Sequence, residues 1–267
     1  GSDVVQQTVI MGLVVFLAGT LYFRRYFLWK SMIPMIGTTI MCIVLGWDRN
    51  YSRIDGLILF GTFILYTWYL YWDERKHYDG KPDSDDDDTD APKNKKEAWQ
   101  YTFTSLVAMA FTIGAAQVVL HATETVVVQT GISGSLIGVV TLGLASALPE
   151  LTTALSGIGK KAHGISLGTL VGSNITNPLV AIGGGALIST YYVPEPLVLW
   201  DLPWETITGI LLWLILWFSK GKLKRGHAIY LMVLYFIYLI PRYLLFPTDA
   251  SAPQWDNLWG TFAGIFG

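Results

Sequence analysis

Long runs of apolar residues alternate with short polar segments along this chain. The runs are roughly 17–28 residues long, which is enough for a helix to cross the hydrocarbon core of a bilayer. Eight such runs are present, at residues 4–23, 31–47, 56–72, 101–128, 132–158, 164–192, 204–219 and 227–246. This pattern predicts an all-α polytopic membrane protein with eight transmembrane helices.

The composition agrees with a membrane protein. Hydrophobic residues make up 52% of the 267 positions, charged residues only 14%, and the mean hydropathy is +0.44. The single cysteine, Cys42, lies within a run, so no intrachain disulfide can form. The first run lacks the basic start and the small-residue cleavage site of a signal peptide.

Basic residues are distributed unevenly between the two sides that the eight spans define. Fifteen of the 18 Lys and Arg residues fall on one side, and only Arg49, Arg53 and Arg242 fall on the other. Cytoplasmic loops carry the excess of Lys and Arg, so the first side is predicted to be cytoplasmic. This distribution predicts a multi-pass protein of the cell membrane.

A polar segment separates the third and fourth spans. It contains the sequence DERKHYDGKPDSDDDDTDAPKNKKEA and lacks the mid-loop glycine and terminal glutamate of an EF-hand. Its composition is typical of a solvated, disordered chain. We therefore predict a cytoplasmic acidic linker at 76–98.

The segments on either side of this linker resemble each other. Residues 1–12, GSDVVQQTVIMG, match residues 172–183, GSNITNPLVAIG, at an offset of 171. Farther along, Arg53-x-Asp55-Gly56 matches Arg225-x-His227-Ala228 at an offset of 172, and the two arginines fall on opposite sides. Inverted repeats of this kind are associated with secondary transporters.

The repeat predicts how the chain is organised. Residues 1–75 would be the remainder of a first repeat with three spans, 99–250 a second repeat with five spans, and 251–267 a tail. At the same offset, the counterpart of the second repeat's start would lie well before Gly1. We therefore expect two further spans there, ten in all, unless Gly1-Ser2 is only an expression remnant.

Polar residues interrupt two of the apolar runs in the second repeat. A carboxylate at mid-span, such as Glu150, costs at least ~2.5 kcal/mol, so a functional role is expected. The prolines at 149 and 178 each remove an N–H and should free a backbone carbonyl. Ser146 lies one turn before Glu150, and Ser173 one turn before Asn177. Hard cations such as Na⁺ and Ca²⁺ bind clusters of this type of oxygen.

A competing prediction is an intramembrane protease, because Gly131-Ile132-Ser133-Gly134 fits a GxSG motif. Its serine would need a histidine at similar depth on a later helix. The later histidines, His163 and His227, fall in predicted cytoplasmic loops, whereas Ser133 is at the outer end of its span. A cation-binding paralogue that transports nothing remains a second alternative.

The polar motifs of the second repeat resemble the α-repeat of the Ca²⁺:cation antiporter superfamily, which includes the Na⁺/Ca²⁺ exchangers. The similarity lies in Leu148-Pro149-Glu150, in Gly172-Ser173-Asn174-Ile175 and in Asn177, and Gly1-Ser2-Asp3 resembles the end of a first α-repeat. The resemblance implies an inverted-repeat antiporter bundle, with the α-repeat at 143–177, that exchanges Ca²⁺ for Na⁺ and is not an enzyme.

The resemblance also implies roles for individual residues. Glu150 would be the central cation carboxylate, flanked by oxygens of Ser146 and of the Gly143 carbonyl. The next helix would contribute a second group of oxygens, and the first repeat would supply the symmetry mates; these residues are Ser173, Asn174, Asn177, Ser2, Asp3 and Gln6.

Departures from the family pattern leave the ion open. Ala145 and Ala147 replace Gly and Ser, and Gln6 replaces Asn. Asn177 occupies a position that holds an acidic residue in some members of the family. Na⁺/Ca²⁺, H⁺/Ca²⁺ and Na⁺/H⁺ exchange all remain candidates. Asp3 is expected at the edge of its span, so if Ca²⁺ is the substrate a second carboxylate would come from the segment before Gly1. The implied partners are inorganic cations and the bilayer, with no cofactor, no nucleic acid and a monomer as the working unit.

Overall fold

The computed structural model describes residues 1–23, 25–77, 94–159, 163–249, 253–256 and 261. Only the backbone is described at 74–77, 109, 112–113, 116 and 163–167. The predicted linker at 76–98 and the predicted tail at 251–267 lie largely outside the described residues. Their disorder and position therefore stay predictions.

Helices make up most of the described chain. They form eight runs, each coinciding with a predicted span: α1 Ser2–Ala18, α2 Arg25–Leu45, α3 Arg53–His77, α4 Lys95–Thr130, α5 Gly134–Gly159, α6 at 163–188, α7 Leu197–Phe218 and α8 Arg225–Leu245. Among the described residues, five helices are long and apolar enough to cross a membrane, namely α2, α3, α5, α7 and α8; α1 is apolar but shorter. The protein is mostly helical, and the count of eight spans remains a prediction.

The surface of the bundle is apolar. Large hydrophobic side chains such as Trp68, Phe111 and Val128 are between 68% and 83% exposed. A water-soluble protein rarely carries so much contiguous apolar surface, whereas a bilayer requires it. The exposed side chains follow α3, α4 and α8 along most of their length, as lipid-facing helices would.

Several helices contain one wide, π-helical segment each. These segments span Gln6–Ile10 in α1, Leu28–Met32 in α2, Gly138–Leu142 in α5, Asn177–Ile182 in α6 and Leu197–Asp201 in α7. Pro178 lies at the start of the α6 segment, and α5 is divided at Ala147, just before Pro149. Segments of this type occur frequently at functional sites because they leave part of the regular backbone ladder unmade.

Two short antiparallel ladders join the ends of the helices. Strand β1 (Thr20–Tyr22) pairs with β4 (Lys222–Lys224), and β2 (Asn50–Tyr51) pairs with β3 (Tyr191–Tyr192). The all-α prediction is wrong in this detail. Gly19 and Gly221 have φ angles of 82° and 80°, a region that glycine adopts without steric cost, and they turn the chain from helix into strand.

The ladders and π-helical segments recur at the same offset as the sequence repeat. The first residue of β1, Thr20, corresponds to the first residue of β3, Tyr191. The first residue of β2, Asn50, corresponds in the same way to the first residue of β4, Lys222. The π-helical segment of α6 likewise begins at Asn177, the counterpart of Gln6 in α1. Each ladder therefore joins one strand from the first half of the chain to one from the second half.

Close helix crossings hold the two halves together. A Cβ atom added at Gly56 of α3 would lie 2.5 Å from the backbone nitrogen of Leu187 and 2.8 Å from the carbonyl oxygen of Gly183, both in α6. The equivalent crossing joins α1 to α8, where a Cβ at Gly12 would lie 2.8 Å from the carbonyl oxygen of Ala228. Only a residue without a side chain fits at these contacts.

We expect Gly56→Ala to lower the free energy of unfolding by about 1–3 kcal/mol, because overpacking forces the backbones of α3 and α6 apart. Gly61→Ala on the same helix is the matched control, since nothing within the described residues lies within 4 Å of its added Cβ. That control should be neutral or stabilising, because glycine in a helix costs roughly 0.5–1 kcal/mol relative to alanine. Thermal unfolding in detergent measures both, and equal melting temperatures would contradict the crossing.

Candidate functional site

The polar faces of α1 and α6 meet at their crossing. The side-chain amide of Asn174 donates to Gln6 Oε1 over 2.7 Å, and its oxygen accepts from Gln7 Nε2 over 2.9 Å. The Ser173 hydroxyl also donates to Gln6 Oε1, over 2.5 Å. Asn174 is 1% exposed and Gln6 is fully buried. Two helices from opposite halves of the chain are thereby tied together by amide groups.

A carboxylate belongs to the same crossing. Asp3 Oδ1 accepts a hydrogen bond from Asn177 Nδ2 over 2.7 Å and another from the Ser2 hydroxyl over 3.4 Å. Asp3 is only 7% exposed. Asp3 lies in the first turn of α1, as a position at the edge of the span predicts, but its side chain is buried. Packing of α5, α6 and α7 around the first turn of α1 buries it, and the sequence of one span cannot show those neighbours.

Helix α5 completes the arrangement. A Cβ at Gly143 would lie 2.9 Å from the backbone carbonyl carbon of Gly1 and 3.1 Å from the Ser2 nitrogen, so α5 and α1 are in backbone contact. The Ser146 hydroxyl donates to the Gly143 carbonyl oxygen over 3.2 Å. After the division at Ala147, Glu150 lies in the first turn of the second half-helix.

Glu150 has an oxygen available for a ligand. Its Oε2 is buried and has no hydrogen-bond partner in the described part of the chain. We use the name central site for the polar residues that α1, α5 and α6 bring together; these are Ser2, Asp3, Gln6, Gly143, Ser146, Glu150, Ser173, Asn174 and Asn177.

The sequence analysis missed a second layer of polar residues behind the central site. Thr208 in α7 donates to Gln7 Oε1 over 2.7 Å, and Gln7 Nε2 also lies 3.9 Å from the Met35 sulfur in α2. Glu205, one turn before Thr208, is 5% exposed, and its Oε1 has no partner among the described residues. A carboxylate inside an apolar run was the available signal, because intramembrane acids are costly unless they serve a function.

The donor set of the central site suits hard cations. Its groups are carboxylate, amide, hydroxyl and carbonyl oxygens, which are the ligands that Ca²⁺ prefers. Among the described residues, no group of three or more His, Cys, Asp and Glu side chains is placed to hold a metal ion. An ion at this site would therefore be coordinated chiefly by neutral oxygens together with Asp3 and Glu150.

Ser133, the serine of the GxSG motif, has a structural role. Its hydroxyl oxygen accepts a hydrogen bond from the Leu136 backbone nitrogen over 3.2 Å and so caps the start of α5. Serine is a preferred residue at this position because it satisfies an otherwise unpaired helix N–H. The motif is accounted for by the helix cap.

Arg242, which the sequence places on the outer side, has its side chain inside the bundle. It is fully buried, and its Nε donates to Asp201 Oδ1 over 2.9 Å. Its Nη2 lies 2.5 Å from the Ser135 hydroxyl. A second ion pair joins Lys30 in α2 to Asp73 in α3 over 2.7 Å. Neither pairing is visible in a single sequence, because the partners come from different helices.

Comparison with proteins of known sequence identifies relatives over most of the chain. CaxA of Alkalimonas amylolytica is 24% identical over 251 residues, which cover 92% of this chain and 76% of that protein. The sodium/calcium exchanger MaX1 of Methanosarcina acetivorans is 31% identical over 111 residues, which cover 41% of this chain and 31% of MaX1.

Solved structures share the fold. The sodium-calcium exchanger NCX_Mj aligns with a TM-score of 0.59 at 21% identity, covering 89% of this chain and 73% of that one. The H⁺/Ca²⁺ exchanger CAX aligns with a TM-score of 0.67 at 15% identity, covering 90% and 64%. Residues 100–244, more than half of the chain, match the family described as sodium/calcium exchanger protein. The chain belongs to the sodium/calcium exchanger protein family of membrane cation antiporters.

Proposed function

We propose that this protein is a secondary-active antiporter that exchanges Ca²⁺ for Na⁺ through the central site. The observation that carries the proposal is a buried carboxylate, Asp3, bonded to the amide of Asn177, together with the buried and unpartnered Oε2 atom of Glu150. Without a cation, two negative charges at one site inside the bundle would repel each other at a high electrostatic cost. A bound cation offsets that cost.

The charge of the site favours a divalent ion or a small group of monovalent ones. Ca²⁺ takes 6–8 oxygen ligands, and the described residues supply Asp3, Glu150 and the oxygens of Ser146, Ser173 and Asn177 as candidates. Two negative charges balance one Ca²⁺. The same charges can be balanced by Na⁺ ions in turn, which is the requirement for exchange at a shared site.

The arrangement of the two halves supports alternating access. Strands and π-helical segments recur at equivalent positions of the two halves, and each ladder exchanges partners between the halves. This is what two inverted repeats around a mid-membrane site would produce. We propose that 1–75 and 99–250 are these repeats, that they lie in the cell membrane and that the 76–98 linker is cytoplasmic.

One face of α6 supports the prediction of a further helix from a first repeat. Within the described residues, no atom lies within 4 Å of a Cβ added at Gly168 or Gly172. At Gly1, the counterpart of Gly172, an added Cβ would lie 2.8 Å from the Cα of Val139 in α5. A span before Gly1 would occupy the equivalent place beside Gly172.

We also propose that the complete protein functions as a monomer.

H⁺/Ca²⁺ exchange is the second candidate function. The observation that favours it is Glu205, a further buried carboxylate with one oxygen lacking a partner among the described residues. A carboxylate in that environment can be neutralised by a proton in place of a metal ion. Exchange driven by Na⁺ and exchange driven by H⁺ are separated by imposing each gradient alone.

We expect Glu150→Gln to abolish exchange in vesicles that contain the full-length protein, because the change removes one of two negative charges and keeps the shape of the side chain. The measurement is Ca²⁺ uptake driven by an outward Na⁺ gradient, and then by an outward H⁺ gradient. Calorimetry on the same variant should show Ca²⁺ binding weakened far more than Na⁺ binding.

The control for this experiment is Glu124→Gln. Glu124 lies on α4 with its side chain 67% exposed, so its loss should leave uptake unchanged. Full exchange by the Glu150→Gln protein would contradict the proposal. So would a wild-type protein that binds Ca²⁺ and exchanges it for neither Na⁺ nor H⁺, which is the behaviour of a non-transporting paralogue.

We expect Asn174→Ala to weaken cation binding at least about tenfold, or roughly 1.4 kcal/mol. The reason is that Asn174 fixes the orientation of both Gln6 and Gln7 at the crossing of α1 and α6. Thr176→Ala is the matched control, because Thr176 is exposed on the same helix and bonds only its own backbone turn in the described contacts. The upward shift of the melting temperature on adding Ca²⁺ measures binding, and equal shifts in the two variants would contradict this role.

A further inference from the structure

The ion pair between Asp201 and Arg242 is buried but incompletely satisfied. Asp201 Oδ1 accepts from Arg242 Nε over 2.9 Å and from the Tyr238 hydroxyl over 2.8 Å. The other oxygen, Oδ2, is buried and has no partner within the described part of the chain. Asp201 is 2% exposed, so that oxygen lies inside the bundle and not at its surface. An unpaired carboxylate oxygen in such a place is costly unless it has a ligand.

Asp201 lines a cavity of about 350 Å³ that extends to the central site. The lining of the same cavity includes Pro194 and Ser135, which belong to the side of the bundle predicted to face outward. It also includes Ser2 and Ser146, which belong to the central site. Asp201 therefore shares one cavity with residues of the predicted outer side and with ion-binding residues.

Arg242 holds the carboxylate in place without occupying it fully. Its guanidinium lies on the ring of Phe246, with the central carbon 5.4 Å from the ring centroid, and it also reaches the Ser135 hydroxyl. The guanidinium is therefore bonded to Oδ1 of Asp201 and leaves Oδ2 without a partner among the described residues. The neutralising charge lowers the affinity of Asp201 for a cation, which suits a position that an ion must leave as readily as it enters.

We propose that Asp201 is an outer access site, at which a hard cation binds weakly through Oδ2 on its way between the outer face and the central site. The movement of ions past Asp201 rests on the proposed function. The binding of a cation at Asp201 can be tested even if the protein transports nothing. A carboxylate in a narrow polar passage raises the local concentration of cations and accelerates their association with the site beyond it.

The first test measures binding with Tb³⁺, a hard cation whose emission is sensitised by nearby indole rings. Trp200 precedes Asp201 in the chain, and the ring of Trp204 stacks on the ring of Trp200 with centroids 5.6 Å apart. In full-length protein with Glu150→Gln, Tb³⁺ should give sensitised emission that Ca²⁺ suppresses. Adding Asp201→Asn together with Arg242→Gln, which removes both charges, should lower that emission about fivefold or more.

The matched control uses the ion pair between Lys30 and Asp73. Lys30 occupies the position in the first repeat that Asp201 occupies in the second, and Lys30→Gln with Asp73→Asn removes an ion pair near the predicted cytoplasmic end. That double variant should leave the emission unchanged. If the Asp201 double variant does not fold, Trp200→Phe keeps the ion pair and removes the adjacent indole; the emission should then fall while calorimetric binding stays the same.

The second test measures access in intact cells, where all copies face the same way. At low external Ca²⁺, the Asp201 double variant should take up Ca²⁺ about tenfold more slowly than wild type, with saturating rates preserved. The control pair should not slow external uptake. Emission and uptake that are independent of Asp201 would overturn the inference. A wild type without exchange, but with emission that depends on Asp201, would refute the proposed function and leave the access site standing.

Discussion

Polar groups in the interior of a membrane protein must find their hydrogen-bond partners within the protein, because the bilayer offers none. The crossing of α1 and α6 meets this constraint through amides. Asn174 and Asn177 of one half bond Gln6, Gln7 and Asp3 of the other half. The helices that carry these residues cannot separate without exposing several polar groups to hydrocarbon, so the position of the remaining helices follows from this contact.

The same crossing explains the tight packing elsewhere. Beyond the polar crossing, the following turns of α1 and α6 cross α8 and α3, respectively. These crossings are in backbone contact, at Gly12 against Ala228 and at Gly183 against Gly56. The two contacts are equivalent in the two halves of the chain. A pair of such contacts around one polar centre gives the protein two matching sets of helices, which is the arrangement that the proposed inverted repeats would have.

Much of the helix pattern could be predicted from the sequence, because apolar runs of membrane length report directly on which segments avoid water. The importance of Glu150 could also be predicted, since a carboxylate within an apolar run is costly. The same reasoning applied to Glu205, which lies within the run at 204–219, would have found a further buried acid. Arg242 could not be placed in this way, because counting basic residues near span ends cannot distinguish a flanking arginine from a buried one.

The sequence by itself determined the membrane-spanning character, the order of the helices, the internal repeat and the type of oxygen available at the repeat motifs. These depend on local composition and on short-range spacing, which one chain carries in full. Only the tertiary structure decided that Asp3 is buried, that Gln7 and Thr208 support the crossing, and that Asp201 faces a cavity with one oxygen unsatisfied among the described residues. Each of these facts depends on partners between 37 and 201 residues away. No periodicity along the chain records which side chains meet across helices, because that is fixed by packing in three dimensions.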